Sequence, residues 1–312
     1  MNLKYCLRKA FNGLVALIPR KILSGFLRSF ERHPELAEVA GYQIFPRRFD
    51  APLPLLEEID WKAIEQPRRW LKIDFHEDEA LQLLPTLAKY SSELDSIPYE
   101  RHGNDTPYWF DNMSFTDFDA AALYGILRHH KPKRYIELGC GFSSFISSMA
   151  LAKNIVEGNP CEAIYADPMP RRDMNKMLAT GKLICERMQN LPIEMFQQLE
   201  ADDVLFIDTS HVLKIQSDVV RELLEIIPAL KPGVLIHIHD IFSPYDYPVD
   251  WAEKKIRLSC NEQYAVECLL IGGSLCRVML PLYLLWCERR QELQKLFSRG
   301  KDRPHSFWLV RN

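Results

Sequence analysis

The sequence predicts an α/β fold: a doubly wound, mostly parallel sheet with helices on both faces, preceded by a mainly helical and irregular N-terminal region. Two observations predict the sheet. After Asp117, short and continuously apolar segments alternate with segments of helical periodicity, which is typical of parallel strands buried on both faces. Polar residues follow directly after several of these apolar segments, where the carboxyl ends of parallel strands form a crevice for ligands.

Each apolar segment predicts one strand, and the predicted strands cover 134–138, 162–166, 182–185, 203–207, 234–238, 275–280 and 305–310. Helices are predicted at 120–130, 145–153 and 219–230, and another opens near residue 261. The helix at 219–230 has an apolar stripe at helical spacing and ends at Lys231-Pro232-Gly233. Strands and helices therefore alternate as expected of a parallel sheet.

The composition excludes several classes of protein. The 312 residues are 47% hydrophobic and 26% charged, which is typical of a globular chain. The chain has 39 Lys and Arg and 42 Asp and Glu, for a net charge of −3. General nucleic-acid binding is therefore disfavoured. The eight cysteines include no closely spaced pair, which indicates reduced thiols in a cytoplasmic protein and disfavours a structural zinc site.

The N-terminal region lacks a clean hydrophobic period between residues 35 and 110. We therefore predict a domain boundary, with 1–110 as a lid or contact region and 111–312 as the domain that contains the sheet. Residues 1–34 carry seven Lys or Arg and one acid, Glu31. Apolar residues recur there at helical spacing. This pattern predicts a basic amphipathic helix, which either makes peripheral contact with an anionic membrane or packs on the domain or a partner. No apolar segment predicts a membrane span.

A glycine-rich turn follows the first predicted strand, in the segment RYIELGCGFSS. Gly139 and Gly141 allow a sharp turn and a close approach of the backbone to a ligand, and Ser143 or Ser144 can cap the next helix. A dinucleotide-binding fingerprint requires a third glycine where Ser144 stands. The turn therefore disfavours a nicotinamide-dependent oxidoreductase.

Together with Glu137, this turn resembles the first motif of class I S-adenosylmethionine-dependent methyltransferases. The resemblance covers about residues 110–312 and implies a Rossmann-like fold with an antiparallel hairpin at the C-terminal edge of the sheet. It implies that the cofactor is held by Glu137, Gly139, Gly141, Ser143, Asp167 and Asp208. Asp167, after the second strand, would accept the ribose hydroxyls; otherwise it is a turn or capping residue before Pro168.

Two later segments, FIDTSHVLK and GVLIHIHDIFSPYDYP, resemble a bacterial group related to sugar and macrolide O-methyltransferases. The resemblance implies catalytic roles for Asp208 and for His211, the latter as general base toward a sugar hydroxyl. Asp208, His239 and Asp240 would hold a divalent metal, magnesium or manganese, and the imidazole favours manganese or zinc over magnesium. Alternatively Asp208 only orients the cofactor or its loop, and Asp240 caps the next segment.

Other residues admit two interpretations. His237 shares a strand face with His239 and is expected in the core. The loop 244–248 and the segment 108–115 either contact the substrate or pack as aromatic structure. Glu262 and Gln263 are expected to anchor the loop above the site.

The sequence thus predicts methyl transfer from S-adenosylmethionine to a small-molecule acceptor, a sugar or glycan precursor. A catalytically silent scaffold acting through the basic N-terminal segment is the alternative, and transfer to a nitrogen or carbon nucleophile is another. The oligomeric state is left open.

Overall fold

The computed structural model describes residues 18–39, 41–45, 48, 51–103, 106–171, 174–253 and 259–312. Contacts divide the chain into two compact units, Met1–Ile59 and Asp60–Asn312. Residues 60–110 thus belong to the same unit as the sheet. The boundary predicted at residue 110 concerns functional domains and stays a prediction.

In the first unit, α1 (Arg20–Arg32) and α2 (Pro34–Val39) precede a short 3-10 turn, Leu56–Glu58. Helix α1 falls within the basic segment for which an amphipathic helix was predicted. Most of that predicted helix, residues 1–17, lies outside the described residues. In the part of the chain that the structure describes, no helix combines the length and the apolar character needed to cross a membrane.

The second unit is built on one seven-stranded sheet, whose strands are β1 (Arg134–Leu138), β2 (Glu162–Ala166), β3 (Lys182–Ile184), β4 (Val204–Ile207), β5 (Leu235–Ile238), β6 (Cys276–Pro281) and β7 (Phe307–Arg311). The spatial order is β3-β2-β1-β4-β5-β7-β6. The pairs among β1 to β5 are parallel, and β7 pairs antiparallel with β5 and β6. This confirms the predicted fold class, including the antiparallel C-terminal edge.

The described part of the second unit also contains twelve α-helices, several of which pack on the two faces of the sheet. They are α3 (Trp61–Ile64), α4 (Glu77–Ala88), α5 (Asp117–His130), α6 (Phe142–Val156), α7 (Met174–Met177), α8 (Ile193–Gln197), α9 (Asp218–Arg221), α10 (Ile227–Ala229), α11 (Val249–Glu253), α12 (Glu262–Ile271), α13 (Leu282–Glu288) and α14 (Arg290–Leu293). Ser91–Leu94 and Met188–Asn190 are 3-10 turns. A π-helical turn, Glu222–Ile226, joins α9 to α10, so the helix predicted at 219–230 is one element with a π-helical middle.

The core has two halves because successive strand side chains point to opposite faces. On β1, Tyr135 packs with α4, α5 and α6, whereas Ile136 packs with α8, α12 and the segment of the π-helical turn. On β4, Phe206 and Leu205 divide in the same way. Burial on both faces explains why these strands appear in the sequence as continuous apolar segments.

Candidate active site

The candidate site lies at the carboxyl ends of β1, β2, β4 and β5. The chain leaves β1 toward β2 on one side, and β4 pairs with β1 on the other, so the strand order reverses between β1 and β4. Open α/β sheets bind ligands at such a reversal. Most of the predicted site residues stand in one of these four strands or directly follow it, whereas Ser143 lies in the first turn of α6 and His211 lies four residues after β4.

The glycine turn after β1 is fixed by the backbone around it. Gly139 has a φ of +85°, its N–H donates to the Ala166 carbonyl, and a Cβ there would lie 1.7 Å from the Asp208 carbonyl oxygen. No side chain fits at Gly139. Gly141 differs, because it is extended and a Cβ added there meets no atom within 4 Å. Open space in front of Gly141 is what a ligand passing beside the turn requires.

Glu137 lies behind this turn and is fully buried. Its carboxylate accepts hydrogen bonds from four hydroxyl groups, at 2.6–3.0 Å, from Tyr135, Ser143, Ser144 and Ser147. Burial raises the pKa of Glu137 to about 7, and the four hydroxyl donors only partly offset this. This geometry makes Glu137 a support for the turn and the start of α6. Its role in holding a cofactor stays a prediction, as does that of Ser143, whose hydroxyl donates to Glu137.

Asp167 stands at the end of β2, beside the same turn, and is half-buried. One carboxylate oxygen accepts from the Cys140 N–H at 2.9 Å, and the other accepts from the Met169 N–H at 2.6 Å. Asp167 thus joins the glycine turn to the end of β2. Each oxygen accepts one backbone bond here, and an ionised carboxylate has about four lone-pair positions, so it retains capacity for hydroxyl donors.

His211 lies at the centre of the second half of the site. Its Nδ1 is 2.9 Å from Glu262, and its Nε2 is 3.1 Å from Asp208 and 3.4 Å from Asp240. The residue has a φ of +58°, in the left-handed region, and its carbonyl accepts from the Asn261 and Glu262 N–H groups. A strained backbone held by two hydrogen bonds gives the imidazole one orientation, which is common at functional sites.

The acidic surroundings change the protonation of His211. Burial would lower the pKa of this imidazole, but hydrogen bonds to Asp208 and Glu262 and their negative charges outweigh burial and raise the pKa to about 10. This pKa lies above the ordinary histidine value of 6.5 because carboxylates surround the ring. Burial would raise the pKa of Asp208, yet the charge of His239 and the bond to His211 hold it below its ordinary value.

Two further imidazoles stand beside Asp240. His305 Nδ1 lies 2.8 Å from Asp240 Oδ1, and His239 Nδ1 lies 3.5 Å from the same oxygen and 3.7 Å from Asp208. His239, Asp240 and His305 each offer a ligand atom within 4.8 Å of the others. Two imidazoles and one carboxylate form a donor set that suits manganese, iron or zinc better than magnesium.

Asp119, at the start of α5, holds His305 in position. Its carboxylate accepts from the His305 and Ser306 N–H groups at 2.9–3.1 Å and lies 3.6 Å from His239 Nε2. Asp117 accepts from the Lys301 and Asp302 N–H groups in the same way. The first turn of α5 thus positions the segment 301–306, and with it His305.

The structure also shows the surroundings of residues for which the sequence allowed two interpretations. His237 is fully buried, stacks on Phe206 and bonds Ser306, so it is a core histidine as expected. Gln263 accepts from the Phe242 N–H and donates to the Tyr245 carbonyl, which anchors the loop 244–248. The hydroxyl of Tyr245 donates to Glu288, so this aromatic belongs to the packing of the loop.

The segment 108–115 is mostly core. Tyr108, Phe110 and Phe115 are buried, and the ring of Phe115 lies 5.4 Å from that of His239, which makes it one wall behind the histidine. Asp119 and His305 were not predicted as site residues. Asp119 directly precedes the helix predicted at 120–130, and His305 begins the strand predicted at 305–310. No motif in the sequence marks either residue as functional.

Comparison with known proteins agrees with this architecture. The model of a family described as a methyltransferase domain matches residues 136–241, about a third of the chain. The matched region runs from β1 to the residue after Asp240, and Asp119, Glu262 and His305 lie outside it. An uncharacterised protein of Archaeoglobus fulgidus is 25% identical over 163 residues, covering 50% of this chain and 73% of that protein. Residues 136–241 are therefore similar to a methyltransferase domain, and this similarity supports methyl transfer in general.

Proposed function

We propose that the protein transfers the methyl group of S-adenosylmethionine to a hydroxyl of a small molecule, a sugar or glycan precursor. The observation that carries the proposal is the juxtaposition of three features at the reversal in strand order. They are the open glycine turn at Gly141, the half-buried carboxylate of Asp167, and the buried group centred on His211.

The residues present fit the cofactor. Gly141 leaves room for a ligand beside the turn, and Asp167 can accept the two hydroxyls of a ribose. Asp208 places negative charge at the adjacent strand end, where it would attract a sulfonium and an ammonium group. Glu137 acts in this account by holding the turn in place through its four hydroxyl partners.

A hydroxyl acceptor needs help with its proton, because an alcohol is a poor nucleophile at neutral pH. In the proposal His211 takes that proton through Nε2, while the bond from Nδ1 to Glu262 fixes the ring. Asp208 and Asp240, both near Nε2, stabilise the imidazolium that results. Because the pKa of His211 is about 10 in the free site, the neutral base must be formed when positive charge enters beside these carboxylates.

A divalent ion is part of the proposal, and His239, Asp240 and His305, with Asp208 adjacent, would hold it. Bound there, it would supply the charge that lowers the pKa of an acceptor hydroxyl and of the neighbouring imidazole. The donor set favours manganese or another transition ion over magnesium.

The test is transfer of a labelled methyl group from S-adenosylmethionine to a panel of monosaccharides and nucleotide-linked sugars, with Mn²⁺ or Mg²⁺ present. We expect product that falls 10²- to 10⁴-fold in His211→Ala, since general-base assistance has about that magnitude. His129→Ala, an exposed histidine on α5, is the matched control and should retain activity.

Three results would contradict the proposal. Transfer to amines but not to hydroxyls, with a mild effect of His211→Ala, would favour a nitrogen nucleophile. Cofactor binding with no product from any member of the panel would refute the sugar hydroxyl as acceptor. Absence of cofactor binding altogether would favour the catalytically silent scaffold.

A further inference from the structure

Helix α1 has two distinct sides. At about 100° per residue, five apolar side chains gather on one side of the helix. They are Ile22, Leu23, Phe26, Leu27 and Phe30. Two of these rings, Phe26 and Phe30, pack edge to face with centroids 4.8 Å apart. The opposite side carries the charged residues of the helix, so α1 is amphipathic along its whole length.

The apolar side of α1 faces outward. Ile22 is 64% exposed, Phe26 60% and Leu27 41%, and none of the residues of α1 is buried. Among the described residues of the first unit, Ala37 is the one apolar residue that is buried. Further large apolar side chains are exposed in the same unit, namely Leu36, Val39, Tyr42, Ile44, Phe45 and Leu53. A contiguous exposed apolar face of this kind marks an interaction surface.

The charge on α1 indicates what that surface contacts. Four cations, Arg20, Lys21, Arg28 and Arg32, lie on the charged side of the helix. Its single acid, Glu31, lies 3.8 Å from Arg48. Lys and Arg can extend their charges to a boundary while their methylene chains stay with apolar neighbours. Two copies of the protein facing each other across α1 would bring like charges together, which disfavours self-association.

We propose that α1 lies in the headgroup region of an anionic lipid bilayer, with Ile22, Phe26 and Leu27 inserted and the four cations at the lipid phosphates. A short amphipathic helix with aromatic and aliphatic residues on one side and Lys and Arg on the other binds membranes in this manner. One such helix gives reversible binding. The contact is peripheral, and it brings the methyltransferase domain to a membrane surface.

Flotation of the full chain with vesicles tests the proposal. We expect binding to vesicles of phosphatidylcholine and phosphatidylglycerol, little binding to phosphatidylcholine alone, and weaker binding as salt is raised. Replacing the four cations of α1 with Gln should weaken binding about fivefold for each residue. The matched control replaces four exposed lysines elsewhere with Gln and should bind normally: Lys62, Lys72, Lys133 and Lys176.

A second pair of variants tests insertion of the apolar side. Ile22→Ser, Phe26→Ser and Leu27→Ser together should abolish flotation. The matched control replaces three exposed apolar residues of the second unit with Ser, and should leave flotation unchanged: Val156, Ile215 and Leu224. In Phe26→Trp, fluorescence should be quenched by lipids brominated on their acyl chains beyond the quenching of the native tryptophans.

The following results would overturn the proposal. Wild-type protein that floats with neither type of vesicle, or a triple Ser variant that floats as wild type, excludes insertion by α1. A wild-type dimer that the triple Ser variant dissociates would assign the face to a second copy. A triple Ser variant that unfolds more easily without vesicles would assign it to another part of the chain.

Discussion

Glu137→Gln tests whether the support beneath the glycine turn is as the structure describes it. The carboxyl group has a pKa of about 7 in the folded protein and an ordinary value of 4.5, because burial raises the pKa and the four hydroxyl donors offset only part of this. A raised pKa means that the folded state holds the proton over a range in which the unfolded chain has released it. The group therefore contributes stability that is fully present below pH 4.5 and is lost as the pH rises through 7.

The magnitude follows from the shift. At about 1.4 kcal/mol for each pH unit between the two pKa values, the free energy of unfolding should fall by about 2–3 kcal/mol from pH 5 to pH 8 through this group alone. Gln does not titrate, and the surrounding hydroxyls can both donate to it and accept from it. The variant should therefore lack this part of the pH dependence and be relatively more stable at pH 8.

Urea denaturation of wild type and Glu137→Gln at pH 5 and pH 8 measures the difference directly. The comparison removes the contributions of all other titrating groups, since they are common to both proteins. Equal pH dependence in the two proteins would refute the description of Glu137 as a buried carboxyl group with a raised pKa.

Other predictions concern stability at a single pH, measured by urea denaturation. Gly139→Ala should destabilise the protein by more than about 3 kcal/mol, since the added Cβ meets a backbone carbonyl at 1.7 Å and the φ is +85°, whereas Gly141→Ala should change stability by less than about 0.5 kcal/mol. Similar losses in the two variants would contradict the described turn. Asp119→Asn should lower stability by about 1–3 kcal/mol, because it removes a charged acceptor from two buried N–H groups; an unchanged midpoint would mean that segment 301–306 is held by other contacts. Arg128→Met should lower stability by about 2 kcal/mol, because this buried guanidinium bonds Glu157 at 2.5 Å and two further side chains. A loss of less than half of that would mean that these bonds contribute no more than an exposed ion pair.

The sheet could be predicted from the sequence because its strands are buried on both faces. The observed strands lie within two residues of the predicted ones, and the differences occur at the ends, as in 307–311 against 305–310. The π-helical middle of 219–230 carries no signal that distinguishes it from an α-helix. Both observations follow from apolar periodicity, which reports burial and not the hydrogen-bond pattern within a helix.

Site residues could be predicted only where polar side chains follow closely after a strand in the sequence. Asp208, His211, His239 and Asp240 lie close together after β4 and β5, and the roles predicted for them stay predictions. His305 could have been found from register, because β5 pairs with β7 so that Ile238 faces Phe307, and two further residues bring His305 opposite Asp240.

Two other site features needed the folded structure. Asp119 reaches the site from the first turn of α5. No local sequence pattern indicates that the start of this helix lies beside the segment 301–306, which is far away in the sequence. Glu137 was predicted to face a cofactor, whereas its contacts are with the hydroxyls of Tyr135 and of serines near the start of α6. Ser143, Ser144 and Ser147 were the available signal, since their spacing places three hydroxyls on one side of that helix.

Titration with S-adenosylhomocysteine in a calorimeter, with Mn²⁺ present, tests the central claim most directly. Wild type should bind saturably. Gly141→Val should lose binding while keeping its unfolding midpoint, since a Cβ added there meets no atom within 4 Å and the side chain occupies the space beside the turn. Gly272→Val is the control and should bind as wild type, because Gly272 is exposed and a Cβ added there meets no atom closer than 3.7 Å. Binding by Gly141→Val equal to that of wild type, or no binding by wild type, would contradict the placement of the cofactor at the glycine turn.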